Sequence, residues 1–379
     1  MLSANETIDR RSILKDTRRI VLKLGTRVVT VHDNELDRPF IDRIAREVSG
    51  LMERGYQVAI VSSGAVGAGM GRLGLKERPM RIPELQATAA VGQGLLMNAY
   101  KLAFRTYGVP IGQVLLTDDG LEDRWRFVNA KNTLDALFRF GAVPIVNEND
   151  SVAVEENKVG DNDRLSALVT DLVEAQLLIT YTTVDGLFSD DPTQVPDAEH
   201  IPVVETVTQD MIESAGSAGS AVSLGGMRTK LEAAASVTRG GGTVVIADGR
   251  RARLDQILDG EEVGTLFLPT TDQIQGKKRW LANSKKKGSV IVDSGAAAAL
   301  TDGGKSLLAS GIARVDGDFA QGELIGILDE SGQELGRGLV RYDAADVRSI
   351  QGRRSEEIGK ILPDRNGDAV IHRDDMVIF

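Results

Sequence analysis

Short apolar runs alternate with segments of helical period along the first two thirds of the chain, and most runs end at a glycine or a polar cluster. Residues 20–24 are apolar apart from Lys23 and stop at Gly25-Thr26, which predicts a strand. A lysine inside such a strand must reach an anion or bring its charge out at the strand end. Gly25 lets a ligand come close to the backbone. Over residues 38–53, Phe40, Ile41, Ile44, Ala45, Val48, Leu51 and Met52 recur at helical spacing, and Gly55 stops that helix. Residues 57–61 predict the next strand, closed by Ser62-Ser63-Gly64-Ala65. This strand, loop, helix, strand order is βαβ, which favours a parallel sheet covered by helices.

The pattern continues with an alanine-rich helix over 83–106, a strand over 109–116, a helix over 128–139 and a strand over 141–146. That strand opens onto Asn147-Glu148-Asn149-Asp150, and Gly160-Asp161-Asn162-Asp163 then starts a helix. A strand over 176–181 leads into Thr182-Thr183. The stretch 192–225 is polar, with a short strand near 202–204 and an expected mobile segment over 214–223. Residues 226–230 enter a helix ending near Arg239, and 243–247 is the last strand expected in this part, before a short helix over 254–264. Beyond that the runs become short and alternating, at 288–292, 311–315, 324–328 and 338–342, separated by turns. They predict a small, mostly β domain. The expected organisation is a leader over 1–19, an α/β domain over 20–268, a linker over 269–276 and a β domain over 277–379. The α/β domain is expected to be a three-layer αβα sandwich around a mainly parallel sheet.

Composition narrows the chemistry. A chain of 379 residues suits two domains. Cysteine is absent, which excludes disulfides and thiolate catalysis, and three widely spaced histidines argue against a zinc enzyme. The net charge of -10 argues against a chain devoted to nucleic-acid backbones, although residues 277–287 hold six cationic side chains and no acidic one. No apolar run reaches membrane-spanning length, and the first residues have no apolar core of signal-peptide type. The expected location is the cytoplasm.

The loops Gly25-Thr26, Ser62-Ser63-Gly64-Ala65 and Gly225-Gly226 combine glycine with hydroxyl or amide groups. Lys23 and Lys230 belong to this set, and Asp150, Asp161 and Asp163 sit in strand-end or helix-start loops. Phosphoryl transfer asks for fixed cations, backbone N–H groups and a carboxylate that orients the cations or holds Mg2+. No GxxxxGK[ST] motif is present, and GxGxxG is absent from the first βα loop, so a P-loop nucleotidase and a Rossmann dehydrogenase both fit poorly. Each residue has a plainer reading as well. Lys230 can be a helix-surface charge, Asp161 a cap, Asp163 a first-turn residue favoured by the helix dipole, and Asp150 a turn residue. The functional reading rests on all of these loops following strands in one α/β domain.

Five stretches taken together resemble the amino acid kinase family, and within it the members that phosphorylate glutamate. They are Val21-Leu22-Lys23-Leu24-Gly25-Thr26, Ile60-Val61-Ser62-Ser63-Gly64-Ala65-Val66-Gly67, Pro144-Ile145-Val146-Asn147-Glu148-Asn149-Asp150, Gly160-Asp161-Asn162-Asp163 and Gly225-Gly226-Met227-Arg228-Thr229-Lys230. The resemblance runs over nearly the whole chain, and the last part, including residues 304–311 and 370–374, is similar to a PUA domain. It implies phosphorylation of the side-chain carboxylate of L-glutamate by Mg-ATP, as the first step of proline biosynthesis, by direct in-line transfer without a covalent enzyme intermediate. By match, Lys23 and Lys230 contact the phosphates, Asp161 orients the two lysines, and Asp163 helps to order the phosphate region. Ser63, Asp150 and Asn162 bind glutamate, with Asp150 facing its ammonium group. Thr182, Thr183, Leu224, Gly225, Gly226, Met227, Arg228, Thr229 and Lys230 line the ATP site. No side chain is assigned as a metal ligand, and Mg2+ arrives on the ATP phosphates.

These roles agree with the chemistry of the reaction. A carboxylate nucleophile is ionised at neutral pH, so no general base is needed. Catalysis then reduces to positioning and charge neutralisation. The chain departs from the common family pattern at Thr183, where Asp is frequent, and at Leu224, where Thr is frequent. The resemblance further implies proline as a feedback inhibitor, a homodimer or homotetramer, and functional coupling to glutamate-5-semialdehyde dehydrogenase. Two alternatives stay open: another amino acid kinase acting on carbamate, aspartate or uridylate, and an RNA-binding factor acting through the β domain.

Overall fold

Arg19–Leu24 (β1) lies at the middle of an eight-stranded sheet and is buried over nearly its whole length. The computed structural model describes residues 9–122, 124–152, 162–192, 194–195, 197–217, 226–270, 281, 286–301, 303–362 and 368–379. The chain divides into two units, residues 1–273 and 274–379. In the first unit the other strands are β2 (Gln57–Ser62), β3 (Ile111–Leu116), β4 (Val143–Glu148), β5 (Leu177–Thr182), β6 (Leu187–Phe188), β7 (His200–Ile201), β8 (Val203–Val204), β9 (Thr243–Asp248) and β10 (Thr265–Phe267). The helices are α1 (Arg10–Leu14), α2 (Thr26–Val29), α3 (Arg38–Glu53), α4 (Ala65–Leu73), α5 (Ile82–Arg105), α6 (Asp118–Glu122), α7 (Arg124–Arg139), α8 (Asp163–Leu172), α9 (Gln209–Ser217), α10 (Met227–Arg239) and α11 (Leu254–Leu258).

The sheet order is β3-β4-β2-β1-β5-β9-β10-β8. From β3 to β9 every neighbouring pair is parallel, β10 is antiparallel to β9, and β8 is parallel to β10. The sheet is thus mainly parallel, with helices on both faces. The period of two along β1 sends Ile20, Leu22 and Leu24 to one core, shared with Ile44 and Val48 of α3 and Leu96 and Phe104 of α5. Val21 enters the opposite core, with Leu134 of α7, Val169 of α8 and Leu231 of α10. Lys23 shares the face of Val21. The chain winds from β1 to β2, β3 and β4 on one side, then returns to β5 on the other. Ligands of open α/β sheets bind outside the carboxyl ends of strands at such a reversal.

Helices α4 and α5 cross at unusually short range, and two glycines make this crossing. A Cβ on Gly69 would stand 1.9 Å from the Thr88 carbonyl oxygen, and one on Gly92 would stand 1.8 Å from the Ala65 carbonyl oxygen. No other residue fits at either place.

Several expectations are corrected. The strand β9 is not the last in its sheet, because β10 follows it. An antiparallel pair, β6 with β7, was not expected: β6 precedes the polar stretch, and β7 lies inside it just ahead of the strand expected near 202–204. Strands of two or three residues are too short for alternation to show. Of the segment expected to be mobile, 214–217 close α9, and 218–223 lie outside the described residues. The leader holds α1, whose Arg10 is buried and donates to the carbonyls of Pro202, Glu261, Val263 and Gly264.

The second unit contains a five-stranded sheet in the order β13-β11-β14-β15-β17 and a separate pair, β12 with β16. The ranges are β11 (Gly288–Val292), β12 (Leu307–Leu308), β13 (Ile312–Asp316), β14 (Leu324–Leu328), β15 (Glu334–Leu339), β16 (Ala369–Ile371) and β17 (Met376–Ile378). Its own core gathers Val290, Ile325, Ile327, Val347, Ile350 and Ile371. The run expected over 338–342 is shifted, with β15 ending at Leu339 while Val340 and Tyr342 remain buried in the core. Most of the basic run 277–287 lies outside the described residues, and its Lys286 bonds Glu334 at 3.2 Å. Among the described residues no helix is long and apolar enough to cross a membrane.

Candidate active site

Lys23 is 3% exposed, on a strand with no solvent on either side, so its ammonium group needs an internal anion. Asp163 supplies it. This carboxylate opens α8, and its first-turn position also meets the positive end of the helix dipole. Asp163 Oδ1 accepts a hydrogen bond from Lys23 Nζ. Its Oδ2 accepts from Lys230 Nζ at 3.1 Å and from Thr229 Oγ1 at 2.7 Å. Lys230 lies in the first turn of α10 and is buried as well. One carboxylate thus ties together ammonium groups from β1 and α10. Burial alone would raise the Asp163 carboxyl, but Lys23 and Lys230 overcome it and hold the group down at about 2.

The three side chains carry one positive charge between them. Gly226 caps α10 in an extended conformation with no side-chain cap, so the first backbone N–H groups of the helix face the same region as Lys230. Thr182 ends β5, half-buried, beside β9. Ammonium groups, helix-start N–H groups and strand-end hydroxyls form a donor set suited to a polyphosphate.

Next to this trio lies a web of neutral polar groups. Asn162, adjacent in sequence to Asp163, is fully buried. Its Nδ2 donates to Ser63 Oγ at 3.1 Å, to the Ser62 carbonyl at 3.1 Å and to Asn147 Oδ1 at 2.8 Å. Asp150, after the end of β4, is 6% exposed. Burial lowers the half-buried Arg78 guanidinium, and the Asp150 carboxylate opposes that shift, which sets Arg78 against Asp150.

Residues 18–248 match the profile of the amino acid kinase family, and residues 288–362 match that of the PUA domain. The chain belongs to the amino acid kinase family. It is 48% identical to a protein of Moorella thermoacetica named Glutamate 5-kinase, over 97% of this chain and 98% of that one. It is 47% identical to the Glutamate 5-kinase of Geobacter sp. (strain M21), over 98% of this chain and all of that one. The protein of that name from Geobacter sulfurreducens is 46% identical over the same shares.

The amino acid kinase fold brings most of the expected residues together. Lys23, Asp163, Lys230 and Thr229 meet at one point, and Ser63 and Asn162 bond directly. The carboxylate seen between the lysines is Asp163. Asp161, expected in that place, lies outside the described residues with Leu224 and Gly225. Arg228 points outward and pairs with Glu232 at 3.0 Å along α10, while Thr183 is exposed. Among the described residues no three His, Asp or Glu side chains cluster as a metal site.

Sequence reasoning gave no role to Asn147, Gln93 or Tyr100. Asn147 stood inside a recognised motif. Gln93 and Tyr100 carried a weaker signal, polar groups seven positions apart on the inner side of an apolar helix.

Proposed function

We propose that the chain is a glutamate 5-kinase, transferring the terminal phosphoryl group of ATP to the side-chain carboxylate of L-glutamate. The observation that carries this reading is the buried Lys23–Asp163–Lys230 trio at the carboxyl ends of the strands, next to the web around Asn162. The relatives named Glutamate 5-kinase, matched along nearly their full lengths, support the choice of acceptor.

The chemistry follows from the charges. Attack by a carboxylate oxygen on a phosphoryl group brings two anions together. Lys23 and Lys230 reduce that repulsion and meet the charge that spreads over the phosphoryl oxygens in the transition state. Asp163 keeps both ammonium groups aimed before substrate arrives, so little reorganisation is needed at the moment of transfer. The acceptor is already ionised and needs no base. Transfer is direct, with attacking and leaving oxygens in line. Mg2+ held on the ATP phosphates neutralises part of their charge. Asp150 offers a carboxylate for the substrate ammonium group, while Asn162 and Ser63 hold the body of the amino acid. Carbamate and uridylate have no ammonium group for Asp150 to bind.

The same reading includes the first step of proline biosynthesis, proline as an inhibitor competing for this pocket, and a homo-oligomeric enzyme. Purified protein with Mg-ATP and L-glutamate, trapped by hydroxylamine, should form the γ-hydroxamate. Turnover confined to aspartate, carbamate or uridylate would reject the assignment.

A further inference from the structure

The bond directions around Asn147 are dictated by a backbone group. The Glu148 N–H can only donate, and it meets Asn147 Oδ1 at 2.9 Å. The other end of that amide must therefore be Nδ2, which donates to Gln93 Oε1 at 2.8 Å. The same Asn147 Oδ1 accepts from Asn162 Nδ2. This leaves Asn162 Oδ1 as a buried acceptor with no bond among the described residues, the kind of group an ammonium donor would satisfy.

Gln93 is itself oddly placed. It lies on α5 between Gly92 and Gly94, and its Nε2 is buried with no hydrogen bond among the described residues. An unbonded buried N–H is a stability liability. A nonpolar side chain of the same size would avoid it, so stability alone does not account for glutamine here. Gly92 brings α5 against the start of α4, just after Ser63, and so carries Gln93 within reach of β4. Two turns along the same helix, Tyr100 places its hydroxyl 2.8 Å from Ser62 Oγ, which also bonds the Ser63 carbonyl. Helix α5 thus braces both Ser62-Ser63 and Asn147.

We infer that Gln93 is a positioning residue for the acceptor pocket: by holding the Asn147 amide it fixes the rotamer of Asn162 and aims Asn162 Oδ1 at the substrate. The inference rests on the reading of Asn162, Ser63 and Asp150 as the acceptor pocket. Gln93 acts on the amino-acid side of the site and not on the phosphate side, where Lys23, Asp163 and Lys230 share no bond with Asn147.

The test is steady-state kinetics on full-length Gln93→Met, Asn147→Ala and the double variant. Each is assayed with whichever acceptor the wild-type protein phosphorylates. Losing one fixed amide should raise KM for the acceptor about tenfold. The KM for ATP, kcat and the thermal midpoint should stay close to wild type. In the double variant the effect should be no larger than in Asn147→Ala alone. Gln93→Ser, also unable to reach Asn147, replaces Gln93→Met if that variant does not fold. The inference is overturned if the acceptor KM is unchanged, if both KM values and the midpoint move together, or if the single effects add. A wild-type protein inactive on glutamate would refute the assigned substrate without touching this result, which is read on the acceptor actually used.

Discussion

Removing one lysine from the buried trio and removing its shared carboxylate should have opposite consequences. In Lys230→Met, Asp163 keeps Lys23, so a paired charge remains inside the protein. In Asp163→Asn, two ammonium groups lose the carboxylate that they share at a site where both are buried. Stripping the partner from a buried charge costs about 3–5 kcal/mol, so the Asn variant should be the unstable one. The catalytic ranking differs. An ammonium that meets charge developing on a transferring phosphoryl group is worth about 10²–10³ in kcat, and up to about 10⁵ for the strongest cases. Lys230→Met should therefore lose about a thousandfold in kcat, roughly 4 kcal/mol, with little change in its unfolding midpoint. The assay pairs hydroxamate formation under saturating glutamate and Mg-ATP with urea unfolding of the same preparations. A Lys230→Met protein within tenfold of wild-type kcat, or an Asp163→Asn protein as stable as wild type, would refute the trio as the charge-bearing centre.

Further outcomes follow from the same geometry. The Asp163 carboxyl is held down at about 2 against an ordinary value of 3.8, so its stabilisation is complete above pH 4 and is lost as pH falls from there through 2. That difference corresponds to about 2 kcal/mol, and urea midpoints measured from pH 7 to 3 should be flat in this contribution until below pH 4. If Asp150 meets the substrate ammonium group as proposed, Asp150→Asn should raise the KM for glutamate by about tenfold or more with a smaller effect on kcat, the signature of a lost ground-state contact; an unchanged KM would remove Asp150 from the pocket. Gly92→Ala would press a methyl group onto the Ala65 carbonyl, so the α4–α5 crossing should open at a cost of about 1–3 kcal/mol or more. Gly94→Ala is its control: among the described residues no neighbour outside the helix's own backbone lies within 4 Å of the added carbon, and the helix should gain about 0.5–1 kcal/mol. Thermal unfolding of the two variants side by side reads the contrast.

The backbone plan was largely legible from local signals. A run buried on both faces must be apolar, so Lys23 in β1 had either to reach an anion or to bring its charge out at the strand end, and Asp163 is the anion it reaches. The helical period of α3 and the small-residue run of α5 reflect a surface each segment must bury wherever its partner lies. The Gly-Asp-Asn-Asp stretch marked a helix start, but the expected capping bond is not made: the side chain of Asn162 at the cap position turns to Ser62, Ser63 and Asn147 instead. Three kinds of information were not local. Strands β6, β7 and β10 are held by neighbours rather than by their own pattern. The direction of each amide bond around Asn147 depends on one backbone N–H and on how closely α5 approaches α4. The meeting of Lys23 with Lys230 on Asp163 joins residues 140 and 67 positions apart from that carboxylate. Parallel sheets leave no short-range trace of which strand lies beside which, because their hydrogen bonds close across long crossovers. The chain alone therefore marked the polar loops that follow strands, with Lys23, Lys230, Asp150 and Asp163 as candidates, and the winding of the sheet decided which of these side chains are buried together and that the amides of Asn147 and Gln93 join them.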